Sequence, residues 1–225
     1  VRLWKFLAWR GLVKRYDRTW LGFLWIPGSA LIHMAFVGTV FSFIFPGGRY
    51  IPHFVLGFAA WSVIARGLNE SARLWRGAEK YLKHLSIPVS VFLIQLIAQS
   101  AIRLAFIVPI AFVIALFFNA RPSWETLLVI PGVLLLLANL AWALTIMSVV
   151  CMRLRDVGSF LPNAVFMCYL MTPIIWEPQR LGDKEWLVNF NPFFHLVELI
   201  RAPLQGDAPT AITWAVACGM IAIGT

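Results

Sequence analysis

The sequence predicts an all-α integral membrane protein with six transmembrane helices. Of its 225 residues, 60% are hydrophobic and only 13% are charged, whereas soluble domains have about 45–50% apolar and about 25% charged residues. Apolar runs of about 20 residues, the length that crosses roughly 30 Å of hydrocarbon, recur along the chain. The Lys and Arg residues gather at the ends of these runs. The net charge of +9 therefore indicates membrane topology rather than nucleic-acid binding.

The six predicted spans share one membrane domain, residues 1–225, and comprise residues 21–45, 54–69, 88–118, 124–152, 158–176 and 209–225. The second span is short because Arg66 interrupts its uncharged part, and the third contains a single charge, Arg103. Since the number of spans is even, both termini lie on the same side of the membrane.

The distribution of basic residues predicts that both termini are cytosolic. With this orientation, 13 of the 19 basic residues lie in or beside cytosolic segments: Arg2, Lys5, Arg10, Lys14, Arg15, Arg18, Arg66, Arg73, Arg76, Lys80, Lys83, Arg153 and Arg155. Five lie outside: Arg49, Arg121, Arg180, Lys184 and Arg201. Cytosolic loops of membrane proteins carry an excess of Lys and Arg, so this bias sets the orientation.

Residues 1–20 predict an amphipathic helix that lies in the membrane interface. Apolar and aromatic residues recur on one helical face, namely Trp9, Leu12, Val13, Tyr16 and Trp20. Cations occupy the opposite face, where they would meet anionic headgroups. A plain orientation signal is the alternative interpretation. Gly22 and Pro27 follow where the chain turns into the first span.

The cytosolic loop, residues 69–87, is longer than the 2–8 residues that usually join two helices. Its sequence predicts a short amphipathic helix, and Pro88 then begins the third span as a first-turn proline would. Two interpretations fit this loop: a docking surface for a cytosolic partner, or a solvated run of charges.

Residues 177–208 predict two short re-entrant or interfacial helices on the outer face. The segment has too many apolar residues for a solvated loop, but Pro178, Pro192 and Pro203 interrupt it. Irregular backbone at membrane depth is stable only where protein or a water-filled cavity covers it. This feature favours a pore or transporter over a simple anchor.

The third span carries a polar stripe, Gln95, Gln99 and Arg103, spaced four residues apart and roughly 12 Å long. A charge inside the membrane usually faces a bundle interior, a cavity or a partner. Lining of a transport pathway and structural pairing both fit the stripe, and no acid within a predicted span is available as a partner for Arg103.

Catalytic and metal-binding patterns are absent from the sequence. It has no G-x-x-x-x-G-K-[ST], H-E-x-x-H or G-x-S-x-G motif, and its three Cys and four His lack metal-ligand spacing. The chain therefore cannot hydrolyse ATP itself. A gradient-driven carrier is expected to bury a titratable acid at mid-membrane, and none occurs here, so a separate energy-supplying subunit is favoured.

Four segments, in order, resemble the membrane subunit of ABC-2 type exporters, in the branch that exports O-antigen and capsule polysaccharides. They are RYDRTWLGFLW at residues 15–25, GAEKYLKHLSIP at 77–88, RLRDVGSFLPNAVFMCYLMTPIIW at 153–176 and NPFFHLVELIRAPLQG at 191–206. The resemblance runs nearly from end to end of the chain.

The resemblance implies a homodimer in the bacterial inner membrane, joined to two copies of a cytosolic ABC ATPase that binds ATP and Mg²⁺. This chain would need no cofactor of its own. The family's coupling segment, which docks on the ATPase, corresponds here to Gly77, Glu79, Lys80, Lys83, His84 and Pro88. The implied substrate is a glycan on a polyprenyl diphosphate lipid. Arg15, Tyr16 and Arg18 would meet the diphosphate at the cytosolic face.

The resemblance also implies a pore between protomers in which aromatic faces stack on sugar rings. Candidate channel residues are Phe36, Phe41, Trp61, Phe166 and Tyr169, together with the polar stripe Gln95, Gln99 and Arg103. Ordinary packing inside the bundle is the alternative for the aromatic residues. Two functions are alternatives to polysaccharide export. The protein could be an ABC-2 exporter of small lipophilic drugs or other lipids, or it could be a membrane enzyme of lipid-linked sugar metabolism.

Overall fold

A computed structural model describes residues 22–45, 48–84 and 88–224, and every regular element in these ranges is helical. Eight α-helices follow in order: α1 Trp25–Ile44, α2 Tyr50–Ser71, α3 Leu74–His84, α4 Ser90–Phe117, α5 Val129–Arg153, α6 Arg155–Met171, α7 Pro192–Gln205 and α8 Ala211–Gly224. Three 3₁₀ segments, Gly22–Leu24, Trp124–Leu128 and Pro178–Phe190, lie between or before them.

Helix α2 is the centre of the bundle. It packs against α1, α4, α5, α6 and α7, and most of its side chains are buried. Small residues permit this close packing: Ala59 and Ala60 are fully buried, and a Cβ at Gly67 would come within 3.2 Å of Leu144. Such residues are common where membrane helices approach each other closely.

Four of the described helical segments are long and apolar enough to cross a membrane: Pro27–Ile44, Tyr50–Ser71, Ser90–Phe117 and Trp124–Arg153. They match the first four predicted spans. The fifth and sixth predicted spans correspond to the shorter helices α6 and α8. The all-helical fold and its apolar segments are therefore confirmed, whereas the six membrane crossings and the cytosolic termini stay predictions.

The main differences in helix boundaries have local causes. The predicted fifth span, residues 158–176, is wrong at its end because α6 stops at Met171. Thr172 precedes Pro173 and is extended, with φ −84° and ψ 132°, since a proline disfavours helical backbone at the residue before it. Similarly, Pro88 does not begin a helix as predicted, because α4 starts at Ser90.

The N-terminal predictions lie outside the described residues. These are the interface helix at residues 1–20 and its three headgroup-facing residues, Arg15, Tyr16 and Arg18. The described chain begins at Gly22, whose φ of 48° favours glycine. A 3₁₀ turn leads from it into α1, and Pro27 occupies the first turn of that helix.

Residues 177–208 contain two short helical elements, as predicted. The 3₁₀ segment Pro178–Phe190 is kinked at Gly182 and mostly exposed, whereas α7 is largely buried against α2, α5 and α8. Arg201, which the sequence placed in an outer segment, lies on the buried face of α7 and is 2% exposed, so its side chain faces the bundle rather than solvent.

The bundle has two ends that matter for function. One, the α3 end, contains α3 and the turn at Leu154 between α5 and α6. The other, the opposite end, contains the connections between α1 and α2, α4 and α5, and α7 and α8. Helix α2 runs between the two ends, and its 22 residues correspond to roughly 33 Å.

Candidate functional site

Helix α3 projects from the end of the bundle and joins α2 to α4. Only Ala72 and Arg73 separate it from α2. Its inner face includes Ala78, which is 2% exposed, whereas Gly77 and Glu79 are exposed. The side chains of Lys80, Lys83 and His84 lie outside the described part of the chain, and Pro88 follows the helix. The structure thus has a short amphipathic helix where the coupling segment was predicted, and its docking role stays a prediction.

Arg103 forms a buried salt bridge with Glu70 near the α3 end. Arg103 Nη2 donates to Glu70 Oε1 at 2.8 Å, and Nη1 lies 2.7 Å from Oε2. The first contact is a charge-assisted hydrogen bond, and the second is an ion-pair contact between the same two groups. The pair joins α4 to α2 just before the chain enters α3.

The expectation that no intramembrane acid is available to Arg103 is wrong. The predicted second span stopped at Asn69, which placed Glu70 in the cytosolic loop. In the structure α2 continues to Ser71, so Glu70 belongs to the helix and faces α4. Gln99 is also buried, at 8% exposure, and Gln95 is half-buried. Arg103 therefore acts as a structural link between α4 and α2.

Aromatic side chains from α1, α2, α6 and α7 meet in one cluster. Tyr169 is its centre: its ring centroid lies 6.0 Å from that of Trp61, 6.1 Å from Phe58 and 6.4 Å from Phe166. The His33 ring stacks on Phe58 at 4.2 Å, and His33 Nε2 is 3.3 Å from the Tyr169 hydroxyl. We call His33, Phe58, Trp61, Phe166, Tyr169 and Phe193 the aromatic cluster.

Three of the five predicted channel aromatics belong to this cluster, namely Trp61, Phe166 and Tyr169. Trp61 and Tyr169 are buried, whereas Phe166 is 60% exposed. Phe41 lies outside it, in a row of ring contacts that runs through Phe45 and Tyr50. Phe36 is 74% exposed on the surface of α1, away from these contacts.

Sequence reasoning missed the three remaining members of the cluster, His33, Phe58 and Phe193. A signal was available, because Tyr50, Phe54, Phe58 and Trp61 recur at helical spacing along α2. Consecutive rings in this row are in contact from Tyr50 to Phe58. The row therefore connects the opposite end of the bundle with the aromatic cluster.

A second buried arginine, Arg201, holds α7 against the rest of the bundle. Its Nε and Nη2 donate to Glu198 Oε2 at 2.8 and 2.5 Å. Its Nη1 donates to the Pro173 carbonyl at 2.5 Å and lies 3.0 Å from His53 Nε2. His53 Nε2 also lies 3.2 Å from the Trp176 carbonyl, so His53 links α2 to the segment that follows α6.

His195 anchors the start of α7 in a similar way. It is fully buried, with Nε2 2.9 Å from the Asn189 carbonyl and Nδ1 3.1 Å from the Thr213 hydroxyl. The carbonyl can only accept, so Nε2 carries the proton and Nδ1 accepts from Thr213. His195 thereby connects the 3₁₀ segment Pro178–Phe190, α7 and α8.

The polar groups described above serve contacts between helices. Across the described ranges, no three His, Cys, Asp or Glu residues gather in a way that could hold a metal ion. Polar side chains at the helix contacts form a salt bridge and hydrogen bonds that join different elements. Four of the described helical segments are long and apolar enough to cross a membrane, and these helices indicate a helical membrane protein.

The chain belongs to the ABC-2 type transporter family, whose members are membrane permeases of ABC exporters. Residues 2–204 match this family. The chain is also similar to the O-antigen export system permease protein RfbA of Myxococcus xanthus. The two are 22% identical over 204 residues, which cover 87% of this chain and 77% of that protein. Membership of the family implies a membrane location and a partner ABC ATPase.

Proposed function

We propose that this protein is the permease of an ATP-driven exporter that moves lipid-linked polysaccharide across the bacterial inner membrane. The substrate would be an O-antigen or capsule-type glycan on a polyprenyl diphosphate, carried from the cytosolic to the outer side. The similarity to an O-antigen export permease over 204 residues carries this proposal. The working unit would be a homodimer with two ATPase subunits, which supply ATP and Mg²⁺.

The proposed topology uses α1, α2, α4, α5, α6 and α8 as the six spans, with both termini cytosolic. The α3 end then faces the cytosol, and the opposite end faces outward. The positions of Arg73, Arg76, Arg153 and Arg155 at the α3 end support this orientation. The cytosolic α3 would contact the ATPase.

In this mechanism, movement of α3 reaches the bundle in two successive steps. The link of two residues, Ala72 and Arg73, connects α3 directly to α2. The salt bridge between Glu70 and Arg103 then couples α2 to α4. Since α2 also carries Phe58 and Trp61, its displacement would move the aromatic cluster.

The aromatic cluster suits a sugar polymer. Flat ring faces contact sugar rings without gripping one position, so they permit sliding. Phe166 is 60% exposed and presents such a face at the edge of the cluster. Trp61 and Tyr169 are buried behind it and would hold its position.

Deletion of the gene in its native host tests the proposal. We expect surface glycan to disappear and lipid-linked glycan to accumulate on the cytosolic side, as assayed by its accessibility to glycosidases in spheroplasts and inverted vesicles. Unchanged surface glycan would contradict polysaccharide export and favour the export of drugs or other lipids.

Charge reversal on α3 tests the coupling role. We expect Glu79→Arg to reduce export about tenfold or more, because a like charge placed in an interface costs several kcal/mol. Membrane insertion should be unchanged. The measurement is surface glycan together with the ATPase activity of the purified complex.

Asp183→Arg is the matched control, because it makes the same charge change at an exposed site in the 3₁₀ segment Pro178–Phe190. Equal export by the Glu79 and Asp183 variants would exclude α3 as the coupling helix.

A further inference from the structure

A cleft of about 350 Å³ opens at the opposite end of the bundle, away from α3. Three connections form it. Gly48 and Arg49 precede α2, Asn119 and Arg121 follow α4, and Gln205 and Asp207 end α7. Its volume falls within the range of small-molecule sites.

The chemistry of the lining is that of an anion site. Arg49 and Arg121 contribute two exposed guanidinium groups. Within the described residues, neither forms an ion pair with a carboxylate. Guanidinium groups match the oxygens of phosphate in charge and in the direction of their N–H donors. Asn119 adds an amide that can donate to the same oxygens.

The other side of the cleft can recognise hydroxyl groups. Gln205 and Asp207 lie there, and their side-chain oxygens accept hydrogen bonds. A carboxylate repels an anion that has no hydrogen-bond donor. Asp207 beside two arginines therefore favours a ligand that has both an anionic group and hydroxyl groups. Such a ligand has an anionic part for the arginines and hydroxyl donors for Asp207.

The backbone around the cleft is held in place by close contacts. Gly206 has φ 91°, and a Cβ there would collide with the Arg121 carbonyl oxygen. Ser123 Oγ donates to the Gly206 carbonyl at 3.0 Å. The Arg49 carbonyl accepts from the His53 amide at 3.1 Å, at the start of α2. The cleft is therefore built from packed helix ends.

We infer that this cleft binds a phosphate ester that carries hydroxyl groups. Two sources share this chemistry: the diphosphate–sugar junction of a lipid-linked glycan, and the headgroup of phosphatidylglycerol. The first source rests on the proposed function, and the second does not. That the cleft faces outward rests on the proposed topology.

The test measures binding of two soluble probes to the full chain in phosphatidylcholine nanodiscs by isothermal titration calorimetry. One probe is a farnesyl diphosphate-linked hexose, and the other is dihexanoylphosphatidylglycerol. We expect Arg49→Gln and Arg121→Gln each to weaken binding about tenfold, the typical effect of removing a hydrogen bond to a charged group. The tighter of the two probes identifies the source.

Lys184→Gln is the matched control, since it removes one positive charge from an exposed residue outside the cleft. The affinities of this variant for the two probes should stay within about twofold of wild type, because exposed charges act weakly through solvent. An equal loss in all three variants would show general surface attraction and overturn the site. Binding of both probes by Arg49→Gln/Arg121→Gln at wild-type affinity would also overturn it. Thermal unfolding of each variant checks that it folds.

The two proposals fail in different ways. If gene deletion abolishes surface glycan while the cleft variants bind both probes normally, only this inference is wrong. If the cleft binds phosphatidylglycerol and deletion leaves surface glycan unchanged, the cleft stands and polysaccharide export is wrong.

Discussion

The bundle contains two buried arginines that stabilise helix contacts by different means. Arg103 on α4 bonds to Glu70 on α2, so two side chains that lie 33 positions apart in the sequence make the link directly. Arg201 on α7 takes its carboxylate from Glu198, three residues earlier in the same helix. It reaches other elements through the Pro173 carbonyl and His53.

The kind of partner that each arginine has determines whether apolar side chains can replace the contact. Both partners of the Arg103 pair are side chains, so apolar residues can take their place together. The Pro173 carbonyl is backbone and cannot be removed by substitution. A buried carbonyl without a donor is destabilising, so the α7 contact depends on Arg201 more strictly than the α2–α4 contact depends on Arg103.

The largest effect is expected for Arg201→Met. The variant would leave Glu198 without its guanidinium and the Pro173 carbonyl without its donor. Loss of one partner of a buried pair typically costs about 3–5 kcal/mol. The free energy of unfolding, measured by tryptophan fluorescence in mixed micelles of SDS and dodecylmaltoside, should fall by this amount.

Addition of Glu198→Gln to Arg201→Met should restore little, because the hydrogen bond from Arg201 to the Pro173 carbonyl is still missing. Full recovery in the double variant would contradict the distinction between the two arginines.

A somewhat smaller loss, about 3 kcal/mol, is expected for Arg103→Met, because the pair that it breaks with Glu70 contains no backbone carbonyl. Here a second substitution, Glu70→Leu, should recover most of the stability, because an apolar pair often equals a buried ion pair. Export should remain low in the double variant if the salt bridge couples α2 to α4. Stability that does not recover would mean that Glu70 and Arg103 do not act as a pair.

A third substitution tests how closely α7 must approach α5. A Cβ at Gly132 would collide with the Leu199 carbonyl oxygen. Because this contact is backbone, Gly132→Ala should push α7 outward and cost about 1–3 kcal/mol.

Gly219→Ala serves as its control, since no atom lies within 4 Å of the added Cβ on α8. Its unfolding free energy should stay within about 1 kcal/mol of wild type or rise, because alanine favours helix more than glycine does. If Gly132→Ala and Gly219→Ala lowered the unfolding free energy equally, α7 and α5 would have room to separate.

Much of the fold could be predicted from local sequence. Long apolar runs determined the helices α1, α2, α4 and α5 to within a few residues, because the length and hydropathy of a span are properties of the segment itself. The short helix α3 followed from its amphipathic pattern. The candidate site was predicted in part: Trp61, Phe166 and Tyr169 were named as aromatics, but their contacts with His33 and Phe58 were not.

The sequence by itself determined that the chain is helical, apolar and without a catalytic motif, since these properties depend on composition and spacing along the chain. Only the tertiary structure decided which polar groups meet. The sequence placed Glu70 in a loop and Arg201 in an outer segment, and the structure shows that both take part in contacts inside the bundle. Helix packing brings together residues that are far apart in sequence, and the partner of a buried charge is chosen by that packing rather than by its neighbours in the chain.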